Sequence, residues 1–172
     1  MFRSRSAKAF ALGLAAALPA GCEAAPERVP AGAPAFDPIA FFSGRTEGRG
    51  TVKIILSGAE PLRVEGRGRV EGDGSLLLDQ TIWRGERKPQ SRQWRMRAVG
   101  PGRYRGTLTD AVGPVMIETR GPVLRIGYDA KDGTIEQQLT LDAAGRVATN
   151  RMVVRRLGLV VARIDETIRK LD

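Results

Sequence analysis

Hydrophobic and polar residues alternate with a period of two along most of the chain after residue 44. The clearest stretch is residues 62–71, where leucine, valine and glycine take the even positions and charged residues take the odd ones. Residues 52–56, 93–98 and 124–128 follow a similar pattern. Because successive side chains of a β-strand point to opposite faces, these stretches predict strands with one buried and one solvated face.

Turn-forming pairs such as Asp73-Gly74 and Asp132-Gly133 separate the alternating stretches. They recur at intervals of about 8 to 15 residues, which suits consecutive hairpins. The sequence therefore predicts an all-β fold, an antiparallel up-and-down barrel of about nine or ten strands.

A short helix is predicted before the first strand. Asp37 is suited to cap a helix N-terminus, Pro38 suits the first helical position, and Phe41 and Phe42 add an apolar stripe. Ser43 and the following glycine end the pattern. We expect this helix to plug or flank the barrel.

The C-terminal segment, residues 157–171, fits two patterns. Val161, Ile164, Ile168 and Leu171 have helical spacing, whereas a strand face in the same segment would be interrupted by Glu166. We favour a strand, because a closing strand would cover the edge of the preceding one.

The first residues have the order of a secretory signal. Basic residues precede an apolar run at residues 9–18, and small residues then lead to Cys22. We expect a signal peptide over residues 1–21, a flexible tether over 22–35, a barrel domain over 36–172, and export to the bacterial periplasm. Cys22 lies where lipoprotein signals place the acylated cysteine, although Pro19 stands where leucine is usual. An ordinary cleaved signal with an incidental Cys22 is the alternative.

Composition narrows the possible chemistry. The chain has no histidine and one cysteine, which excludes Ser-His and Cys-His pairs, imidazole zinc sites and an internal disulfide. Carboxylates alone can support hydrolysis, but no pair is singled out by spacing. We therefore expect no cofactor, no metal and no catalytic residue, and we rank an enzyme that acts on lipid or glycan through carboxylates last among the possible functions.

The net charge is +9, and loss of Arg3, Arg5 and Lys8 with the signal would lower it by three. A basic protein favours anionic surfaces, and export argues against nucleic acid as the partner. Trp83 and Trp94 flank a basic hairpin, residues 84–92. We expect indole and guanidinium groups of this hairpin to bind an anionic membrane surface, or else to form a solvated turn between two core or rim tryptophans. The candidate surface residues are Trp83, Arg84, Arg87 and Lys88.

Candidate ligand-binding residues lie on predicted inward faces or near the barrel mouth. Gly48, Gly50, Gly66 and Gly68 also face inward, and they either permit sharp curvature or leave volume for a ligand such as an acyl chain. Asp near a turn is more often an acceptor for local backbone groups than a catalyst. The candidates are Trp94, Met96, Tyr104, Asp110, Tyr128 and Asn150.

Several short motifs resemble the family known as domain of unknown function 3833. They are residues 41–44 (FFSG), 94–96 (WRM), 102–106 (GRYRG), 110–113 (DAVG) and 150–152 (NRM), followed by the region of Gly158. The resemblance implies an exported protein, often a lipoprotein, with a lipocalin- or calycin-like barrel and no established activity. It also implies that the gene lies beside genes whose products modify membrane fatty acids.

Two functions follow from these observations. The first is a non-enzymatic binder of a hydrophobic, lipid-derived ligand, linked to membrane-lipid modification or trafficking. The second is a ligand-free interaction module that docks another envelope protein or an anionic surface through the Trp83 to Trp94 hairpin. The sequence leaves the oligomeric state open.

Overall fold

The computed structural model describes residues 31–172, so the predicted signal peptide and Cys22 lie outside the described part of the chain. Ten antiparallel strands form a closed barrel in which neighbours in sequence are neighbours in space. Within residues 31–172, no helix has the length and apolar character needed to cross a membrane. The elements are α1 (Pro38–Phe42), β1 (Gly44–Ile54), β2 (Gly58–Val70), β3 (Leu76–Arg84), β4 (Gln90–Gly100), β5 (Arg103–Leu108), β6 (Val115–Arg120), β7 (Val123–Ala130), β8 (Gly133–Leu141), β9 (Val147–Arg156) and β10 (Leu159–Lys170).

The first and last strands close the barrel. Their ladder runs from Thr46 opposite Lys170 to Ile54 opposite Ala162. The predicted all-β up-and-down barrel is thus confirmed, with ten strands, and the ambiguous C-terminal segment is a strand. Pairing with β1 and β9 removes the edges that an open sheet would leave.

The two ends of the barrel differ. We call the end where β1 begins the plugged end, because α1 lies there and buries Phe41 and Phe42. The carboxylate of Asp37 caps the helix by accepting hydrogen bonds from the amides of Ile39 and Ala40 at 2.9 and 3.2 Å. The opposite, far end carries the connections at residues 55–57, 85–89, 109–114, 131–132 and 157–158.

Lys170 fastens the helix to the closing strand. Its Nζ donates to the carbonyl oxygens of Ala40 at 3.1 Å, Phe41 at 3.3 Å, and Ser43. These carbonyls end the helix and have few partners within it, so a cation there both neutralises the helix dipole and satisfies acceptors.

The inward glycines of β1 and β2 make room for atoms of the protein itself. A Cβ on Gly48 would lie 1.8 Å from the Glu166 Oε1, and one on Gly68 would lie 1.9 Å from the Phe42 carbonyl oxygen. The space beside these two glycines is therefore filled by protein atoms, which leaves none there for a ligand.

Candidate functional site

The plugged half of the lumen is a packed apolar floor. Side chains from the helix and from strands around the barrel meet there with almost no exposed surface. Such packing leaves no room for a ligand without displacement of side chains. The floor includes Phe36, Phe41, Phe42, Leu76, Leu78, Met96, Ile117, Leu124, Leu139, Leu141, Ala148 and Ile168.

Five polar side chains form a layer above this floor. The Gln80 Oε1 accepts from the Arg92 Nε at 2.8 Å and from the Trp94 Nε1 at 2.9 Å. Across the lumen, the Asn150 Nδ2 donates to the Glu166 Oε2 at 2.8 Å. We call Gln80, Arg92, Gln137, Asn150 and Glu166 the polar layer.

Trp94 forms one wall of this layer. The Arg92 guanidinium lies over the indole, 5.5 Å from its centroid, and the Tyr128 ring meets the indole edge-on at 5.9 Å. These contacts hold Arg92 between an aromatic face and an amide oxygen, so its orientation is set by neighbours on both sides.

Two acceptors of the polar layer have no hydrogen-bond partner in the described structure, the Gln137 Oε1 and the Asn150 Oδ1. Gln137, together with Arg92 and Glu166, lines an internal cavity of about 30 Å³. A cavity of this size has room for a water molecule. The cavity beside the polar layer is therefore too small to hold a whole acyl chain.

Burial raises the pKa of Glu166 above its ordinary value of 4.5, and the Asn150 hydrogen bond and the Arg92 charge partly oppose that rise. A carboxyl group in this position keeps its proton to higher pH than an exposed one. The layer therefore offers a group that accepts hydrogen bonds when ionised and donates one when protonated.

The raised pKa leads to a prediction about stability. The folded protein binds the Glu166 proton more tightly than the unfolded chain does. The resulting stabilisation is complete below pH 4.5 and is lost as pH rises through the higher folded-state pKa. Glu166→Gln keeps an acceptor for Asn150 but cannot titrate. We therefore expect the free energy of unfolding of this variant to decline less with rising pH than that of the wild type. Urea denaturation at several pH values measures this.

Glu118→Gln is the matched control, because Glu118 is exposed on the outer face of β6. We expect it to leave the pH profile unchanged. An identical profile for wild type and Glu166→Gln would contradict the assignment of a raised pKa to Glu166.

An aliphatic wall lies above the polar layer, toward the far end. Strands β9, β10, β1, β2 and β3 are consecutive neighbours in the barrel, and each contributes inward side chains that are only partly buried. The strand register shows that these side chains point into the barrel. Ile164 lies opposite both Met152 and the buried Val52, and paired residues face the same side of a sheet. The members of this far-end wall are Ile54, Leu62, Ile82, Met152, Val154 and Ile164.

The six candidate ligand residues fall in different places. Trp94, Tyr128 and Asn150 lie in or beside the polar layer, and Met96 belongs to the floor and lines the cavity. Tyr104 is partly buried near the plugged end, and Asp110 is exposed in the connection between β5 and β6. Asp110 therefore does not line the lumen in the described structure.

The four candidate surface residues do not form one continuous patch. Trp83 lies on the outer face under the Arg63 guanidinium, 4.7 Å from the indole centroid. Arg84 and Arg87 both contact the Glu60 carboxylate, at 3.2 and 3.0 Å, and Lys88 is exposed in the turn. The carboxylate offsets part of the positive charge expected for this hairpin.

Sequence analysis missed four members of the polar layer: Gln80, Arg92, Gln137 and Glu166. Their signal was present, because Arg92 has the same strand parity as Trp94 and Met96, and Gln137 has that of Ile135 and Leu139. A polar residue at an inward-facing position of a strand whose other inward-facing residues are apolar is a candidate for a polar group in the lumen.

Other sites are less suited to hold a molecule. An open groove of about 410 Å³ follows the outer face of β2, β3 and β4, where side chains such as Glu65, Arg67 and Asp79 are solvated. Among residues 31–172, no three side chains of metal-binding type come together.

Comparison with solved structures identifies the fold. The chain is similar to the S-type phycobiliprotein lyase CPES from Guillardia theta, with a TM-score of 0.61 and 6% identity over 78% of this chain and 90% of that one. It is also similar to Rv2717c from M. tuberculosis, with a TM-score of 0.58 and 15% identity over 80% of this chain and 99% of that one. At such identities the likeness concerns the fold alone.

Sequence comparison gives a different kind of result. No curated protein is significantly similar to this chain. The family model described as "Protein of unknown function (DUF3833)" matches residues 16–170. The match spans most of the chain and includes the motifs that suggested the resemblance, so the protein is a member of the DUF3833 family.

Proposed function

We propose that the barrel is a non-enzymatic binder of an amphipathic, lipid-derived molecule. The observation that carries this proposal is a polar layer with an unpartnered acceptor on its cavity, lying beneath an aliphatic wall that is only partly buried. The polar end of the ligand would contact the layer, and its apolar part would lie along the far-end wall.

The chemistry of the layer defines the polar end. Gln137 offers an acceptor, which suits a ligand hydroxyl or amine, and Arg92 offers donors, which suit a carbonyl or anionic oxygen. Because the cavity holds about 30 Å³, only the tip of a head group fits without movement of side chains. A free alkane would leave the polar groups unsatisfied.

The wider setting supports a lipid-derived ligand. Apolar area along the wall would contribute about 25 cal/mol for each Å² removed from water. The similarity to a phycobiliprotein lyase is consistent with a ligand-binding barrel. We further propose that the protein acts in the bacterial periplasm, either free or anchored through Cys22, where such ligands arise from membranes.

Monolauroylglycerol is a suitable probe, because its hydroxyls and ester carbonyl match Gln137 and Arg92, and methyl laurate is its partner without hydroxyls. We expect titration followed by tryptophan fluorescence to show tighter binding of monolauroylglycerol. Arg92→Gln removes the charged donor and should weaken the binding of monolauroylglycerol about tenfold, which corresponds to a lost interaction of roughly 1.5 kcal/mol.

Arg95→Gln is the control, since Arg95 is the next arginine along β4 and points outward, toward Asp73. Equal affinities in the two arginine variants would contradict head-group binding at the polar layer. Failure of both ligands to bind would contradict the proposal as a whole and favour a packed interaction module.

A further inference from the structure

Two turns at the far end present leucines to solvent. Leu56 in the β1–β2 turn is 102% exposed and Leu157 in the β9–β10 turn is 96% exposed. Ile55 and Leu159 beside them are also exposed. We call residues 55–56 and 157–159 the apolar tips.

The two tips lie side by side because their hairpins share a strand ladder. β1 pairs with β10, and the Ile55 amide donates to the Val161 carbonyl at 3.0 Å. The exposed apolar residues therefore lie on adjacent hairpins on one side of the barrel rim. Clustered exposed apolar residues mark an interaction site more often than scattered single residues do.

Both leucines adopt a backbone conformation that suits other residues better. The φ angles are 69° at Leu56 and 50° at Leu157, in the left-handed region where glycine and asparagine are favoured. A bulky side chain there has a conformational cost and makes no compensating buried contact in the described barrel. Such outliers point to a functional constraint.

The charges around the tips are mostly positive. Lys53, Arg156 and Arg163 are exposed on β1, β9 and β10, three of the four strands that carry the tips. The neighbouring far-end turn between β7 and β8 carries exposed Lys131 together with exposed Asp129 and Asp132, so acidic groups outnumber basic ones there. Basic charge is thus concentrated on the side of the rim where the leucines project.

We propose that the apolar tips dock on an anionic phospholipid surface, with the leucines in the interfacial region and the basic side chains at the phosphates. Apolar side chains next to lysine and arginine are the chemistry of interfacial membrane binding. A second copy of the chain is a poorer partner, because an isologous contact would bring the same basic surfaces together. The far-end wall lies directly below the tips, on the same strands.

The proposal does not depend on ligand binding in the lumen, and a probe on the tip itself tests it. The full-length chain with Cys22→Ser and Leu157→Cys is labelled with the fluorophore NBD and mixed with vesicles of equal phosphatidylglycerol and phosphatidylcholine. The expected result is a blue shift with stronger emission, reduced by salt and weaker with phosphatidylcholine alone. The matched control carries the label at Val99→Cys, an exposed apolar residue near the plugged end that should show no shift.

A second variant measures the contribution of the neighbouring tip. Asparagine tolerates the left-handed conformation, so Leu56→Asn should fold at least as stably as the parent while raising the vesicle concentration for half-maximal signal about fivefold or more. No shift at position 157, or the same shift at position 99, would overturn the proposal. Sedimentation showing a dimer that Leu56→Asn dissociates, without a vesicle signal, would overturn it in favour of self-association.

Discussion

Gly68→Ala is expected to destabilise the barrel by about 2 to 4 kcal/mol, since an inserted methyl group forces backbone shifts in a packed core. The added Cβ would lie 1.9 Å from the Phe42 carbonyl oxygen and 3.1 Å from the Leu76 Cδ1. The helix must therefore move away from β2. Urea denaturation measures the loss, and faster hydrogen exchange of the Phe41 amide would report the displaced helix.

Gly127→Ala is the control for this substitution. Gly127 also lies within a strand, but a Cβ there meets nothing within 4 Å. We expect it to change stability by no more than about 1 kcal/mol, and in the favourable direction, because alanine has less backbone entropy to lose. A comparable loss in both variants would mean that the contact between Gly68 and the helix is not the cause.

Trp94→Ala is expected to lower the free energy of unfolding by about 3 to 5 kcal/mol, the range for removing a large buried aromatic side chain. Trp94 is 4% exposed, packs edge-on against Tyr128 and donates to Gln80. Its removal would leave a cavity beside the polar layer and an acceptor with one donor fewer. Chemical denaturation gives the magnitude.

Trp83→Ala is the control, because it removes the same type of side chain from the outer face instead of the lumen. Trp83 is half-buried on the outer face, where the Arg63 guanidinium lies over its indole ring. We expect a loss of about 1 kcal/mol, from the cation–π contact and a small apolar area. Equal losses for the two tryptophans would contradict the division between lumen and outer face described above.

The strands and their order could be predicted because each rests on local information. Alternation shows where residues 62–71 run as a strand, and turn pairs show where strands end. The C-terminal strand needed a non-local argument, since its residues also fit a helix, and the uncovered edge of the barrel decided it. The helix was predicted from Asp37, Pro38 and two phenylalanines, and the same side-chain cap is present in the structure.

The candidate site was harder to predict, because its members come together only through barrel closure. Glu166 was an irregularity in a strand face, yet it faces the lumen because β10 pairs with β1 and Gly48 leaves it space. Arg92 was assigned to a basic hairpin by its neighbours in sequence, although its partners are Gln80 and Trp94. Exposure of Leu56 and Leu157 depends on turn geometry that a hydrophobicity pattern does not contain.

Lys170 has a consequence for the order of events during synthesis. The helix that it fastens leaves the ribosome more than a hundred residues before Lys170 itself, since the contact to Ala40 spans 130 positions. Until β10 is complete, β1 and β9 each keep a free edge and the helix lacks its cation. Contacts of such large sequence separation slow folding and prolong the exposure of unpaired edges. The nascent chain therefore keeps unpaired strand edges that are prone to aggregation until β10 has been synthesised and has paired with β1 and β9.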